Sequence, residues 1–207
     1  MSNYTTLTYG NYEGLKRMGY FTAPASKGHH MAVKGGLVQH SINVTKRLVR
    51  LSDAIGSIWS RDESPYLVGM LHDLVKCQCY KLNPDGQTYS YVQPKWPGHG
   101  GASVMSATVE LGIQLNPDEA AAIIHHMGAF GLTGRALDEF DSALDAFPGP
   151  IIATHTADWS AARLDESGDW SDLRTNIPEF GGKAFHHDYA GLCYNIHQTN
   201  QTNQETR

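Results

Sequence analysis

Residues 71–76 have the sequence Leu-His-Asp-Leu-Val-Lys, which sets a histidine and an aspartate side by side after an apolar run. The surrounding segment 64–76 predicts a helix, because Ser64 and Pro65 are typical of a helix N-terminus. An imidazole beside a carboxylate offers two neighbouring ligands to a transition metal. A His-Asp dipeptide often arises by chance, so its meaning depends on the histidines elsewhere in the chain.

The other candidate ligands lie on further predicted helices, at 37–55, 99–111, 116–126 and 150–164, where apolar residues recur at helical spacing. In chain order the whole set is His40, His72-Asp73, His99, His125-His126 and Asp158. About one helical hairpin of chain separates each member from the next. Successive antiparallel helices can therefore bring all of them to one level of a bundle, which is how helical proteins build metal sites.

The remaining segments predict a short helix at 12–18, a helix at 135–146 and one β-hairpin at 80–92. The hairpin is indicated by the turn sequence Asn-Pro-Asp-Gly at 83–86 between Tyr-, Thr- and Val-containing flanks. Neither a repeat nor a Pro/Ser-rich linker divides the chain. The sequence therefore predicts an all-α helical bundle in one domain, with one small β-hairpin insert.

Composition excludes several classes of protein. The 207 residues are 41% hydrophobic and 18% charged, which is typical of a globular domain. A net charge of −5 argues against a broad basic surface for nucleic acid. Three cysteines cannot form a disulfide framework. We find neither an apolar run long enough for a membrane span nor a signal-like N-terminus, so we expect a cytoplasmic protein without a membrane partner.

The order His40, His72-Asp73, Asp158 resembles the signature of the HD superfamily of metal-dependent phosphohydrolases. Locally, residues 24–30 (Pro-Ala-Ser-Lys-Gly-His-His) and 35–41 (Gly-Gly-Leu-Val-Gln-His-Ser) resemble the HD domain of Gram-positive 3′→5′ exoribonucleases. The additional histidines are similar to the two-metal pattern of the HD-GYP cyclic-dinucleotide phosphodiesterases, although the GYP loop is absent. Trinuclear members have a Glu at the position of Gly36, so we expect two metal ions at most.

The resemblance implies one or two divalent transition metal ions, with Mn, Fe, Ni, Co or Zn as candidates and Mg also open. The implied ligands of the first ion are His40, His72, Asp73 and Asp158. The implied ligands of the second ion are Asp73, His99, His125 and also His126. Consecutive helical residues point about 100° apart, so His125 and His126 can both ligate only if the helix ends there. Otherwise one of the two contacts substrate.

Other residues are candidates for substrate contact. Lys76 follows Asp73 by three residues and shares its side of a helix, and in the family this lysine often meets a substrate phosphate. Asp73 and Lys76 are therefore the expected catalytic residues. His30, in the loop before the first long helix, is a second candidate phosphate contact. Arg163 is a weaker one, because five helical residues turn it about 140° away from Asp158.

The expected activity is cleavage of a phosphodiester bond in a nucleotide, a cyclic (di)nucleotide or a short oligonucleotide by a metal-activated hydroxide. Two alternatives stay open: a nucleotidase or nucleoside-triphosphate phosphohydrolase, and a protein of HD fold that binds or sequesters a nucleotide without turnover. A homo-oligomer and a partner protein that supplies specificity also stay open.

The predicted domain organisation has four parts. An N-terminal extension covers 1–23 and the HD phosphohydrolase domain covers 24–165. A C-terminal extension, 166–194, is expected to pack on the domain, and a disordered tail is expected at 195–207, which is rich in Asn, Gln and Thr.

Overall fold

The structure is a computed structural model, and it describes residues 9–166 of the chain. The elements of this region follow in the order α1 (Tyr9–Met18), α2 (Gly36–Ile55), α3 (Ser64–Leu71), α4 (Lys76–Cys79), β1 (Tyr80–Leu82), β2 (Tyr89–Tyr91), α5 (His99–Met105), α6 (Pro117–His125), α7 (Arg135–Ala146) and α8 (Pro148–Ser160). Wider π-helical turns extend α5 through Ser106–Glu110 and α8 through Ala161–Asp165.

Helix α2 is the longest element of the described region and lies at the centre of the packing. Leu37, Val44 and Leu48 are fully buried along one face of it, because spacings of seven and four residues place them on one apolar stripe. This helix packs against α3 and α8, and α8 packs in turn against α6. His40 lies on the same buried face, so the fold directs the first candidate ligand into the core.

Two glycines let the helices that carry the candidate ligands approach closely. A methyl group at Gly69 of α3 would lie 2.7 Å from the Cα atom of Thr45 in α2. At Gly100 of α5, an added methyl group would overlap the backbone carbonyls of Ile123 and Ile124 in α6. Glycine is therefore required where α3 meets α2 and where α5 meets α6.

Helix α3 ends at Leu71, so the helix predicted over 64–76 is too long. His72 and Val75 keep helical dihedral angles. Residues 72–75 form tight turns, in which the Leu74 amide donates to the Leu71 carbonyl at 3.1 Å. The Lys76 amide likewise donates to the Asp73 carbonyl at 2.9 Å. A turn of about three residues brings positions i and i+3 to the same side. The tightening therefore aligns the side chains of Asp73 and Lys76.

The predicted hairpin is present as the antiparallel pair β1–β2, with Tyr80 opposite Tyr91 and Leu82 opposite Tyr89. In its turn, an Asp85 carboxylate oxygen accepts hydrogen bonds from the backbone amides of Gln87 and Thr88, both at 2.9 Å. The base of the hairpin packs on a small apolar cluster formed by Val75, Cys79 and Ala102, with Tyr80 and Trp96 beside it. This contact places the hairpin next to the turn that carries the His-Asp pair.

The second half of the bundle is built by α6, α7 and α8. Asn116 and Glu119 form a capping box at the start of α6, which also has Pro117 in its first turn. Helix α7 packs Phe140 against Ala121 of α6 and Ile151 of α8. These contacts fix the rotation of α6, and hence the directions of the two histidines at its end.

The structure confirms the predicted all-α fold with one small β-hairpin. In residues 9–166 we find no helix that combines the length and the apolar character needed to cross a bilayer. The predicted domain boundaries stay predictions. The tail at 195–207 and all but the first residue of the extension at 166–194 lie outside the described residues.

Candidate metal centre

Six side chains from separate parts of the chain converge in the core. They come from α2, the turn after α3, the first residue of α5, the residue after α6, and α8: His40, His72, Asp73, His99, His126 and Asp158. His40, His72, Asp73 and His126 are buried. Asp158 and His99 retain 18% and 35% of their side-chain exposure, so these two mark the side of the cluster that is open to solvent.

Four of the ligand atoms have the spacing of a single coordination sphere. His40 Nε2 lies 3.3 Å from His72 Nε2, and each of these nitrogens lies 3.4 Å from Asp73 Oδ2. Asp158 Oδ1 completes the set at 3.1 Å from His40 Nε2 and 3.8 Å from His72 Nε2. Tetrahedral ligands about 2.1 Å from one ion lie about 3.4 Å from one another. The observed separations fit that arrangement.

A second group shares Asp73. Its Oδ1 atom lies 2.6 Å from His99 Nε2 and 3.6 Å from His126 Nε2. The two carboxylate oxygens of Asp73 therefore face different groups of imidazoles, Oδ2 toward the first and Oδ1 toward the second. A carboxylate in this position can bridge two metal ions, and the resemblance to two-metal HD proteins implied that role for Asp73.

Backbone carbonyls determine which nitrogen two of the histidines present. His72 Nδ1 donates to the Gly69 carbonyl at 2.9 Å, and His126 Nδ1 donates to the Ile123 carbonyl at 2.7 Å. Because a carbonyl only accepts hydrogen bonds, the proton of each neutral ring lies on Nδ1 and the lone pair lies on Nε2. Both Nε2 atoms point into the cluster, in the form that ligates a metal.

Electrostatics keep the aspartates of the cluster ionised. Burial alone would raise the pKa of Asp73, but the Lys76 ammonium and the neighbouring imidazoles hold that pKa well below its usual range. Burial likewise acts to raise the pKa of Asp158, but His40 and the imidazoles of His72 and His126 together hold that pKa below its usual range. Both side chains are therefore in the carboxylate form that coordinates cations.

His126 provides the test of whether a metal fits. Its Nε2 atom is buried and has no hydrogen-bond partner among the described residues, since Asp73 Oδ1 at 3.6 Å is beyond hydrogen-bond distance. A buried polar atom without a partner is unfavourable. A divalent ion between this nitrogen and Asp73 would satisfy it, and imidazole with carboxylate is a suitable ligand set for Mn, Fe, Ni, Co or Zn.

The structure separates the two consecutive histidines. His125 is the last residue of α6, and its ring packs at 5.5 Å from the ring of Phe140 in α7. His126 follows the helix and points into the cluster. The geometry thus brings His126, and not His125, to the second group, whereas the resemblance implied both. The packing of α7 on α6 is the physical reason, because it turns the His125 face outward from the cluster.

Lys76 contacts the cluster directly, since its Nζ atom lies 2.5 Å from Asp73 Oδ2. Burial lowers the pKa of Lys76 and the Asp73 carboxylate raises it, with a net upward shift, so the ammonium form persists. His30 lies behind the first group, with its ring 5.1 Å from that of His40. Arg163 is exposed on the π-helical turn after α8. In residues 9–166, no hydrogen bond or ion pair connects it with the cluster.

Sequence reasoning missed Glu166. Both of its carboxylate oxygens lie 3.0 Å from His40 Nδ1, on the side of the ring opposite the cluster. Asn43 Nδ2 donates to the same carboxylate at 3.0 Å. The periodic pattern weakens after residue 164, so the sequence offered no signal that a glutamate there would be buried.

No family model matches this chain, and no solved structure matches it. A curated protein is similar over part of its length: dihydroneopterin 2′,3′-cyclic phosphate phosphodiesterase of Methanocaldococcus jannaschii, at 33% identity over 67 residues. That relative is a phosphodiesterase. The aligned segment covers 31% of this chain and only 27% of the relative, so the similarity is local. It supports hydrolase chemistry at the level of a phosphodiester bond.

The arrangement can hold one or two divalent cations beside a buried ammonium group. Asp158 and His99 are its partly exposed members, and the Lys76 ammonium adjoins Asp73 Oδ2. A small anion that enters between them would meet positive charge from the lysine and from any bound cation. Phosphate esters have the charge and the size for such a position.

Proposed function

We propose that this protein is a metal-dependent phosphohydrolase that cleaves a phosphodiester bond in a nucleotide, a cyclic (di)nucleotide or a short oligonucleotide. The observation that carries the proposal is the buried cluster in which Asp73 faces two groups of imidazoles, the first of them with metal-ligand spacing. The local similarity to a phosphodiesterase supports the same class of reaction. The proposal assigns the fold to the HD type on the strength of the order of its ligands.

In this proposal, His40, His72, Asp73 and Asp158 hold the first cation, and Asp73, His99 and His126 hold the second. Bound divalent cations lower the pKa of water and offset charge on phosphoryl oxygens. His72 and His126 are kept in the ligating tautomer by the carbonyls of Gly69 and Ile123. The protein therefore presents lone pairs without having to reorganise its core.

Lys76 has the role of a charge-complementary contact to the substrate. Its side chain is 12% exposed, and its ammonium contacts Asp73 Oδ2. A non-bridging phosphoryl oxygen bound there would accept a hydrogen bond from the ammonium, which would stabilise the negative charge that develops on that oxygen. The lysine remains charged at neutral pH, since its pKa is raised.

The charge balance favours a small substrate. The chain has a net charge of −5, and long nucleic acids are bound chiefly through many lysine and arginine contacts to phosphates. A cyclic phosphate or a short oligonucleotide requires fewer such contacts. Because the relative is named for a 2′,3′-cyclic phosphate, nucleoside 2′,3′-cyclic monophosphates belong in the first substrate panel.

The experiment that tests this proposal is hydrolysis by metal-stripped protein after addition of Mn²⁺, Fe²⁺, Co²⁺, Ni²⁺, Zn²⁺ or Mg²⁺. The substrates are bis-p-nitrophenyl phosphate, p-nitrophenyl phosphate and the 2′,3′-cyclic monophosphates. We expect metal-dependent diester turnover, and its loss in Asp73→Asn. Glu139→Gln is the matched control, because Glu139 is an exposed carboxylate paired with Arg135 on the surface of α7.

Three other outcomes would replace or contradict the proposal. Monoester turnover without diester turnover would replace the proposal with a nucleotidase. Tight binding of a nucleotide by metal-loaded protein without any turnover would replace it with a sequestering protein. Failure to retain any of the six metal ions would contradict the assignment of the cluster.

A further inference from the structure

Glu166 is a buried carboxylate that touches the cluster through His40. The residue is 2% exposed, and both Oε1 and Oε2 lie 3.0 Å from His40 Nδ1. The Nε2 atom of the same ring faces His72, Asp73 and Asp158. The imidazole of His40 therefore lies between a carboxylate on one side and the candidate coordination sphere on the other.

The segment that carries Glu166 is fixed to α2 at several adjacent points. Asn43, one helical turn after His40, donates to Glu166 Oε1 at 3.0 Å. One further turn along α2, Arg47 forms a two-pronged ion pair with Asp165, with Nε to Oδ2 at 2.6 Å and Nη2 to Oδ1 at 2.5 Å. Neighbouring carboxylates thus bind successive turns of one face of α2, and the second of them reaches His40.

We propose that Glu166 is a positioning residue that orients His40 and strengthens it as a metal ligand, an inference that rests on the proposed function. A carboxylate that accepts the Nδ1–H of an imidazole keeps the lone pair on Nε2, fixes the plane of the ring and increases its basicity. His72 and His126 give their Nδ1–H groups to neutral carbonyls instead. His40 is thus the strongest imidazole donor of the three, and the ion that it binds is held more tightly than its neighbour.

A different use of the same residues can be distinguished. One ligand atom from each of His30, His40 and Glu166 lies within 4.8 Å of the others, which would suit a further cation. His40 would then have to bind metal through both nitrogens, and its neutral ring would lose the proton on Nδ1. The hydrogen bond between His40 Nδ1 and Glu166 accounts for the geometry without that step. The two interpretations predict different numbers of bound ions.

The test uses the full chain, stripped of metal, in a Co²⁺ titration against a chromophoric chelator. The variants are Glu166→Ala and Glu166→Gln, and Asp165→Asn is the matched control, because Asp165 binds Arg47 in the same segment but does not touch His40. We expect Glu166→Ala to weaken the tighter Co²⁺ site by about 10–100-fold. Glu166→Gln keeps an acceptor oxygen without the charge, so its Co²⁺ affinity should lie between those of Glu166→Ala and wild type.

The visible absorption of bound Co²⁺ provides a readout that general loss of stability would not change. It should shift in Glu166→Ala, recover in part in Glu166→Gln and match wild type in Asp165→Asn. Should Glu166→Ala fail to fold, Glu166→Gln alone decides the question. Wild-type affinity and spectrum in a folded Glu166→Gln and a folded Glu166→Ala would overturn the proposal.

Two further results have separate meanings. If wild type itself binds no Co²⁺, the proposed function fails, and the positioning role fails with it. If wild type binds a third equivalent that both Glu166→Ala and His30→Ala lose, Glu166 is a ligand of that ion, and the positioning role is wrong while the proposed function stands.

Discussion

Asp73→Asn is the substitution that most directly tests the cluster, because it removes one charge and almost no volume. In the structure, Asp73 Oδ1 contacts His99 Nε2 at 2.6 Å, and Oδ2 contacts Lys76 Nζ at 2.5 Å. The imidazoles of His40 and His72 lie 3.4 Å from Oδ2. An asparagine cannot supply two anionic oxygens to two groups of ligands, so both candidate metal positions should lose their shared member.

The expected magnitude follows from the coupling between metal binding and folding. The ligands come together only in the folded chain, so a metal at 100 times its dissociation constant stabilises that state by about 2.7 kcal/mol. For a chain of this size, 1 kcal/mol moves the Tm by about 2–4 °C. Wild type should therefore gain about 5–11 °C on addition of metal, and Asp73→Asn should gain almost nothing.

The Tm of the metal-free protein should also fall in this variant. The Lys76 ammonium is buried beside Asp73, and removal of one member of a buried ion pair costs about 3–5 kcal/mol. The informative quantity is therefore the metal-induced change in Tm of each variant rather than its absolute Tm. If Asp73→Asn does not fold, Asp158→Asn serves instead, since Asp158 is partly exposed and contacts His40 and His72 of the first group.

The assay is thermal unfolding by circular dichroism with and without Mn²⁺, followed by diester hydrolysis under the same conditions. Glu139→Gln should show the full metal-induced shift and wild-type turnover. Asp73→Asn should lose more turnover than the factor of about 10–100 that is typical of outer-shell partners. A folded Asp73→Asn protein that keeps both the shift and the hydrolysis would refute the assignment of Asp73 as the shared ligand.

Three further changes have distinct expected outcomes. His126→Ala should abolish binding of one metal equivalent in a Co²⁺ titration, whereas His125→Ala should leave the stoichiometry unchanged. Arg61→Met should lower the free energy of unfolding in urea by about 3–5 kcal/mol, because it leaves the fully buried Glu119 carboxylate without its 2.7 Å ion pair. Gly69→Ala should cost about 1–3 kcal/mol in the same measurement, because the methyl group would overlap the backbone of α2.

The elements that could be predicted are those whose signals are local. Helix α2 has its own apolar stripe, α6 has the Asn116–Glu119 capping box, and the hairpin has its Asn-Pro-Asp-Gly turn. Each of these patterns lies within about twenty residues of chain. The order of the histidines then located the cluster, because ligands at one level of successive helices must meet if the helices pack side by side.

The features that could not be predicted depend on contacts between distant parts of the chain. The choice between His125 and His126 depends on how Phe140 rotates α6, and a helical pattern alone does not contain that rotation. The Arg61–Glu119 ion pair and the approach of Glu166 to His40 connect residues far apart in sequence. Acidic residues usually lie at the surface, so nothing local indicated that either glutamate would be buried.

The burial of this cluster is itself an argument for its use. A histidine that serves only packing would have both nitrogens satisfied or be replaced by an apolar residue of similar size. His126 has one nitrogen hydrogen-bonded to a carbonyl and the other buried without a hydrogen-bond partner among the described residues. Such an atom costs about 1–3 kcal/mol, which is a substantial share of the stability of a domain. Packing gives no reason to keep that nitrogen, whereas a cation held between it and Asp73 does.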